Sequence, residues 1–101
     1  MDKNIQEYAF FKQLVSIDLI EEIWLFGSRA RGDNQDRSDI DLAILCPHAT
    51  DKDWAIIMAI IDDADTLLKI DCIRLDKEKI SAELYGHIIK DKKVIYAKNS
   101  I

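Results

Sequence analysis

Residues 27–45, GSRARGDNQDRSDIDLAIL, constrain this chain more than any other stretch. They begin with a small-residue turn, Gly27-Ser28, directly after an apolar run at residues 23–26. They end in a second apolar run that opens with two carboxylates, Asp39 and Asp41. Side chains alternate faces along a strand, so both acids point the same way, with Cα atoms roughly 6.5–7 Å apart. An apolar core has no use for two ionised groups on one face, and burying them unpaired costs several kcal/mol per charge. A hard cation is the simplest compensation. Both carboxylates can lean onto one ion, or onto two ions about 3.5–4 Å apart.

The flanking segments set the fold class. Ile5, Tyr8, Phe11, Leu14 and Val15 recur at helical spacing, which predicts a packing helix over residues 4–15. Residues 22–26 form a short strand whose continuous apolar run suits cover on both faces, with Trp24 in the core. A short helix starts at Ser28 and is stopped after Arg31 by Gly32; its first N–H groups face the turn, a place for phosphate. Residues 32–38 form a polar loop in which Asp33, Asp36 and Arg37 are solvated. A calcium-loop reading of residues 33–41 fails, because the glycine and the bidentate glutamate it needs are missing.

Residues 40–46 are the second strand, ended by Pro47. Thr50 and Asp53 fit a capping box that starts a helix near Asp51, running to about Leu68. Its first half, WAIIMAII at residues 54–61, is apolar nearly all round, so it is either core or a surface that meets another chain. Residues 70–75 are a third strand carrying Asp71. Asp76 caps a helix over residues 77–89, with Ile80, Leu84, His87 and Ile88 inward. A last strand covers residues 94–96, and the tail from Lys98 is expected to fray. This is an α/β (α+β) order: a small mixed β-sheet with helices mainly on one face. The open face would carry Asp39, Asp41 and Asp71.

Composition narrows the function. The 101 residues suit a single domain, 1–101, without room for a separate substrate domain. A net charge of −5 argues against direct nucleic-acid binding, whose affinity comes mostly from cationic contacts to phosphates. Cys46 and Cys72 lie in apolar runs and read as buried free thiols. His48 and His87 lie on different elements with no further ligand at zinc spacing. No signal peptide opens the chain, and no apolar run approaches the roughly 20 residues that span a bilayer. A cytoplasmic protein that does not enter membranes is expected. A homo-oligomer is compatible with it.

Asp71 is the third acid, out of place among Ile70, Cys72 and Ile73 unless it is partnered. If its strand lies beside the second, Asp39, Asp41 and Asp71 offer the oxygen ligands that Mg²⁺ prefers. A pair of such ions drives in-line displacement at phosphorus. Asp39 and Asp41 would hold the metals, and Asp71 could bind the second and take a proton from an attacking hydroxyl. Gly27 and Ser28 would hold a triphosphate, and Arg29 or Arg31 could offset its charge as a planar fork.

The pattern Gly27-Ser28-x10-Asp39-x-Asp41, with Asp71 on a later strand, resembles the DNA polymerase beta-type nucleotidyltransferase superfamily. Its GSRARG and SDIDL segments and short length look like the minimal nucleotidyltransferases (MNT) of bacteria and archaea. The resemblance covers roughly residues 20–97. It implies two divalent metals, usually Mg²⁺, a bound nucleoside triphosphate, and transfer of a nucleoside monophosphate to a hydroxyl with release of pyrophosphate. It places nucleotide binding at Gly27 and Ser28, the paired metal ligands at Asp39 and Asp41, and the third carboxylate at Asp71. It further implies the antitoxin half of a type VII-like toxin–antitoxin pair. The partner is then a helical HEPN-domain RNase toxin, and AMP from ATP goes to a toxin tyrosine. Larger relatives carry acceptor-binding segments for which this chain has no room. Two alternatives stand beside that reading: a non-catalytic antitoxin or nucleotide-sensing module, and a nucleotidyltransferase for a small-molecule acceptor.

Overall fold

The computed structural model describes residues 4–76 and 79–99. Among these residues, β1 (Glu22–Phe26), β2 (Ile40–Leu45), β3 (Ile70–Arg74) and β4 (Lys93–Ala97) form one sheet in the order β3-β2-β1-β4. β1 runs antiparallel to β2 and β4, and β2 runs parallel to β3. A parallel pair needs a crossover, here supplied by the helix α3 (Asp51–Asp62). The remaining helices are α1 (Ala9–Val15), α2 (Ser28–Arg31) and α4 (Ala82–Asp91).

Each face of the sheet has its own core. On one face Ile23, Leu25, Ile40, Leu42 and Ile44 are buried with Phe10, Phe11 and Leu14 of α1 and Ile57 and Ile61 of α3. Each fully buried side chain of this size contributes about 1.5–3 kcal/mol. On the other face Trp24 and Ala43 pack with Leu75 and with Ile88 of α4. So α1 and α3 share one face as expected, while α4 covers part of the face expected to be open. Beyond the acids, that face carries Trp24, Ala43, Leu45 and Ile73, which need cover of their own. The residues of α4 that meet it are Tyr85 and Ile88; Leu84 and His87, expected inward, are exposed.

Thr50 and Asp53 form the predicted capping box at the start of α3. In α3, Ile57 and Ile61 are core, Trp54 and Ile60 pack partly against it, and Ile56 faces outward. Half of the apolar stretch therefore meets the core, while Ala55, Ile56 and Ala59 are exposed.

The other helix limits differ from expectation, and long-range bonds are part of the reason. The first helix is broken at Tyr8, which is extended between a 3-10 turn (Ile5–Glu7) and α1. Tyr8 supplies no side-chain cap to α1. Asp65 does so from across the fold, accepting from the backbone N–H of Ala9 at 3.1 Å and of Phe10 at 3.2 Å. Asp65 lies in residues 63–68, which stand outside α3, since that helix ends at Asp62 rather than near Leu68. The last helix starts at Ala82, with Ser81 accepting from the Leu84 N–H. Asp76 instead closes a turn, its carbonyl accepting from Lys79 and Ile80. Lys77 and Glu78, expected in that helix, lie outside the described residues. Lys98 does not fray: its N–H donates to the Glu21 carbonyl, and its ammonium pairs with Asp18 at 2.8 Å. Cys46 is buried and Cys72 partly so, and both are free; burial pushes the Cys72 thiol up to about 12.

Candidate active site

The site lies at the end of the sheet where β1 gives way to the turn. Phe26 pairs with Asp41 across β1 and β2, and Asp41 pairs with Asp71 across β2 and β3. The two carboxylates therefore sit on neighbouring strands, about 4.8 Å apart in the hydrogen-bonding direction. They share the face of Ala43 and Ile73, two positions further along each strand. Asp39 is exposed and lies immediately ahead of β2.

The three acids act on one another. Partial burial holds the Asp41 carboxyl above the usual carboxylate range, and the charges of Asp71 and then Asp39 push it further. Arg31 and Lys69 pull it partly back. Asp41 thus stands in an excess of negative charge that a cation would relieve. Among the described residues, no three acidic, histidine or cysteine side chains are already drawn into a closed metal cluster. The donor set of Asp39, Asp41 and Asp71 is carboxylate oxygen on an open sheet end, which fits hard divalent cations.

Gly27 brings the turn against this cluster. Its φ of 74° and ψ of −157° belong to a region that is essentially glycine's alone. A Cβ there would collide with Oδ2 of Asp41 and come within 3.2 Å of its Cγ. The absent side chain is what lets the turn approach the carboxylate. α2 follows as a single turn over Ser28–Arg31, and Gly32 ends it in the left-handed conformation, φ 84°. The predicted helix start and stop are both present.

The two arginines of the turn do different things. The Arg29 guanidinium donates through Nε and Nη2 to the Ser38 carbonyl at 3.1 and 2.8 Å, and to the Asp36 carbonyl at 3.2 Å. It thereby braces the loop that delivers Asp39, and its fork is directed at that loop. Arg31 donates through Nε to Asp33 at 3.1 Å and through Nη1 to Asp91 at 2.8 Å. Both carboxylates hold its guanidinium above its ordinary basicity.

Two residues make contacts at the site that no sequence motif assigned them. Lys69 places its ammonium 3.5 Å from Asp71. Its spacing of two from Asp71 on a strand, which puts both on one face, was the available signal. Asp91 reaches Arg31 across 60 residues, and no local pattern announces it.

Residues 6–101 match the family model described as "Polymerase beta, Nucleotidyltransferase". The chain belongs to the polymerase beta nucleotidyltransferase family. It is a nucleotidyltransferase by that membership. Solved structures agree on the fold. A mutant of the MntA-HpeT toxin–antitoxin superposes with a TM-score of 0.67 at 24% identity, covering 97% of this chain and 76% of that one. A toxin–antitoxin with AMP-PNP gives 0.64 at 22% identity over 89% and 73%. The MNT antitoxin in complex with the tri-AMPylated HEPN toxin of Shewanella oneidensis gives 0.56 at 19% identity over 86% and 69%. No curated protein matches the chain.

Proposed function

We propose that this nucleotidyltransferase moves AMP from ATP to a hydroxyl of a partner protein, as a single domain acting in the cytoplasm. The observation that carries the proposal is the in-register pairing of Asp41 with Asp71, with the Gly27-Ser28 turn packed against Asp41. Gly27 and Ser28 seat the triphosphate, and Arg31 offsets part of its charge. Arg29 contributes chiefly by bracing the loop ahead of Asp39, although it remains close in sequence to the triphosphate seat. Asp39, Asp41 and Asp71 would hold two Mg²⁺ ions. When bound, those ions supply charge neutralisation at the triphosphate and at the departing pyrophosphate.

The residues of the chain divide the remaining work. Asp71 accepts the proton of the attacking hydroxyl. The hydroxyl oxygen bonds to the α-phosphorus, and the bond from that phosphorus to the α,β-bridging oxygen breaks. Pyrophosphate leaves with the electron pair. Burial first, and then the charges of Asp71 and Asp39, hold the Asp41 carboxyl above its ordinary range, and a bound cation would offset the part due to those charges.

The acceptor we propose is a tyrosine hydroxyl of a helical HEPN-domain RNase toxin, which makes this chain an antitoxin. The fold it shares with an MNT antitoxin bound to a tri-AMPylated HEPN toxin supports that reading. The net charge of −5 supports a protein acceptor over direct nucleic-acid binding. Among the described residues no helix is long and apolar enough to cross a membrane, which is compatible with a cytoplasmic site of action.

The test is growth rescue. The chain is co-expressed with a HEPN toxin from the same genome, alongside Asp39→Ala and Asp41→Ala. The wild type should neutralise the toxin and leave AMP on its tyrosine, detected by mass spectrometry, and both variants should fail. Equal rescue by Asp41→Ala, with an unmodified toxin, would mean neutralisation by binding alone.

A further inference from the structure

Arg31 sits at the junction of the turn and the far end of α4, and the partner that holds it there is a carboxylate with few other reasons for its position. Asp91 is the last residue of α4. Negative charge at a helix C-terminus opposes the helix dipole. The Asp91 side chain is also only 16% exposed, against 62% for Asp33, the second acid on Arg31. An acid both shielded and at the wrong helix end needs a fixed cation, and Arg31 provides it at 2.8 Å.

The pairing also fixes Arg31 relative to the site. The Arg31 backbone N–H donates to the Gly27 carbonyl at 3.1 Å, and Gly27 is the residue whose missing Cβ lets the turn approach Asp41. A guanidinium is a planar fork of five N–H donors. Nε is engaged by Asp33 and Nη1 by Asp91. Among the described residues, Nη2 has no such acid and stays free to meet a phosphate oxygen. Gly32, in the left-handed conformation, turns the chain sharply enough for Asp33 to reach back to Nε.

We infer that Asp91 is a positioning residue, which orients the Arg31 guanidinium at the mouth of the carboxylate site so that it meets the phosphates of the incoming nucleotide. The inference rests on the nucleotide seat proposed above. Asp91 touches neither nucleotide nor acceptor, and acts only through Arg31. Removing its charge frees the arginine to sample other rotamers, which weakens nucleotide capture more than the transfer step.

The test is steady-state AMP transfer to the toxin, together with calorimetric binding of AMP-PNP in Mg²⁺. Asp91→Asn should raise KM for ATP about tenfold, the loss of one charge-assisted bond, with kcat changed less than about twofold. Asp91→Glu should return most of the wild-type KM. In an Arg31→Gln background, adding Asp91→Asn should change nothing further, because the pair is already gone; that double variant leaves no shielded charge unpaired, since Asp33 is exposed, and so guards against misfolding of the single one. A wild-type KM in Asp91→Asn, or an additional rise in the double variant, overturns the inference. If the wild type itself fails to bind AMP-PNP, the nucleotide seat falls and this inference with it. If the wild type binds and Asp91→Asn binds equally well, only the role of Asp91 falls.

Discussion

Replacing Gly27 by alanine tests the junction between turn and carboxylate. The backbone at Gly27, φ 74° and ψ −157°, costs a residue with a Cβ about 1–3 kcal/mol. The new methyl also meets Oδ2 of Asp41, so the carboxylate must leave its place. Forcing that side chain off its rotamer adds about 0.5–1.5 kcal/mol. The total, about 1.5–4.5 kcal/mol, lowers Tm by about 6–36 °C in a domain of this size. Two further glycines calibrate the measurement. Gly32 has a positive φ of 84° but nothing within 4 Å of a built Cβ, so Gly32→Ala should cost only the left-handed penalty, about 1–2 kcal/mol. Gly86 lies inside α4 with open space around it, so Gly86→Ala should stabilise by about 0.5–1 kcal/mol. Thermal and urea unfolding of the three variants should rank them in that order. Gly27→Ala no less stable than Gly32→Ala would refute the close approach of turn and acid.

Two other outcomes follow from the same geometry. Asp41 carries a raised pKa in the folded state, so the stability linked to its proton is full below the unfolded carboxylate value, about 3.9, and is lost as pH rises through the folded value. Asp41→Asn should therefore stabilise the protein more at pH 7 than at pH 3.5; urea titrations giving the same difference at both pH values would refute this. Asp65→Ala removes the cap that α1 receives from across the fold, and should cost about 0.5–2 kcal/mol as a fall in urea midpoint at constant m. An unchanged midpoint would show that the cap contributes nothing.

What could be read in the residues was the local part. The Gly27-Ser28 turn, the stop at Gly32, the Thr50–Asp53 capping box and the strand carrying Asp41 all depend on neighbours within a few positions. Residue type and short spacing therefore found them. The three acids were legible as a cluster on the condition that β3 lies beside β2, and the parallel register of Asp41 with Asp71 meets it. What escaped depends on distant partners. Asp65 caps a helix 56 residues away in sequence. Arg31 finds Asp91 only because α4 folds back over the sheet. The second core around Trp24 and Ile88 was hidden because the face it covers was assigned wholly to the acids.

The central claim is that Asp39, Asp41 and Asp71 serve nucleotidyl transfer to a protein hydroxyl. It is tested most directly by presenting the purified chain and a HEPN toxin with Mg²⁺ and ATP labelled in turn at the α- or γ-phosphate. The account predicts that α-label becomes covalently attached to the toxin, that γ-label leaves as pyrophosphate, and that both fates vanish in Asp41→Ala. Attachment of γ-label, or attachment of α-label undiminished in Asp41→Ala, would contradict it.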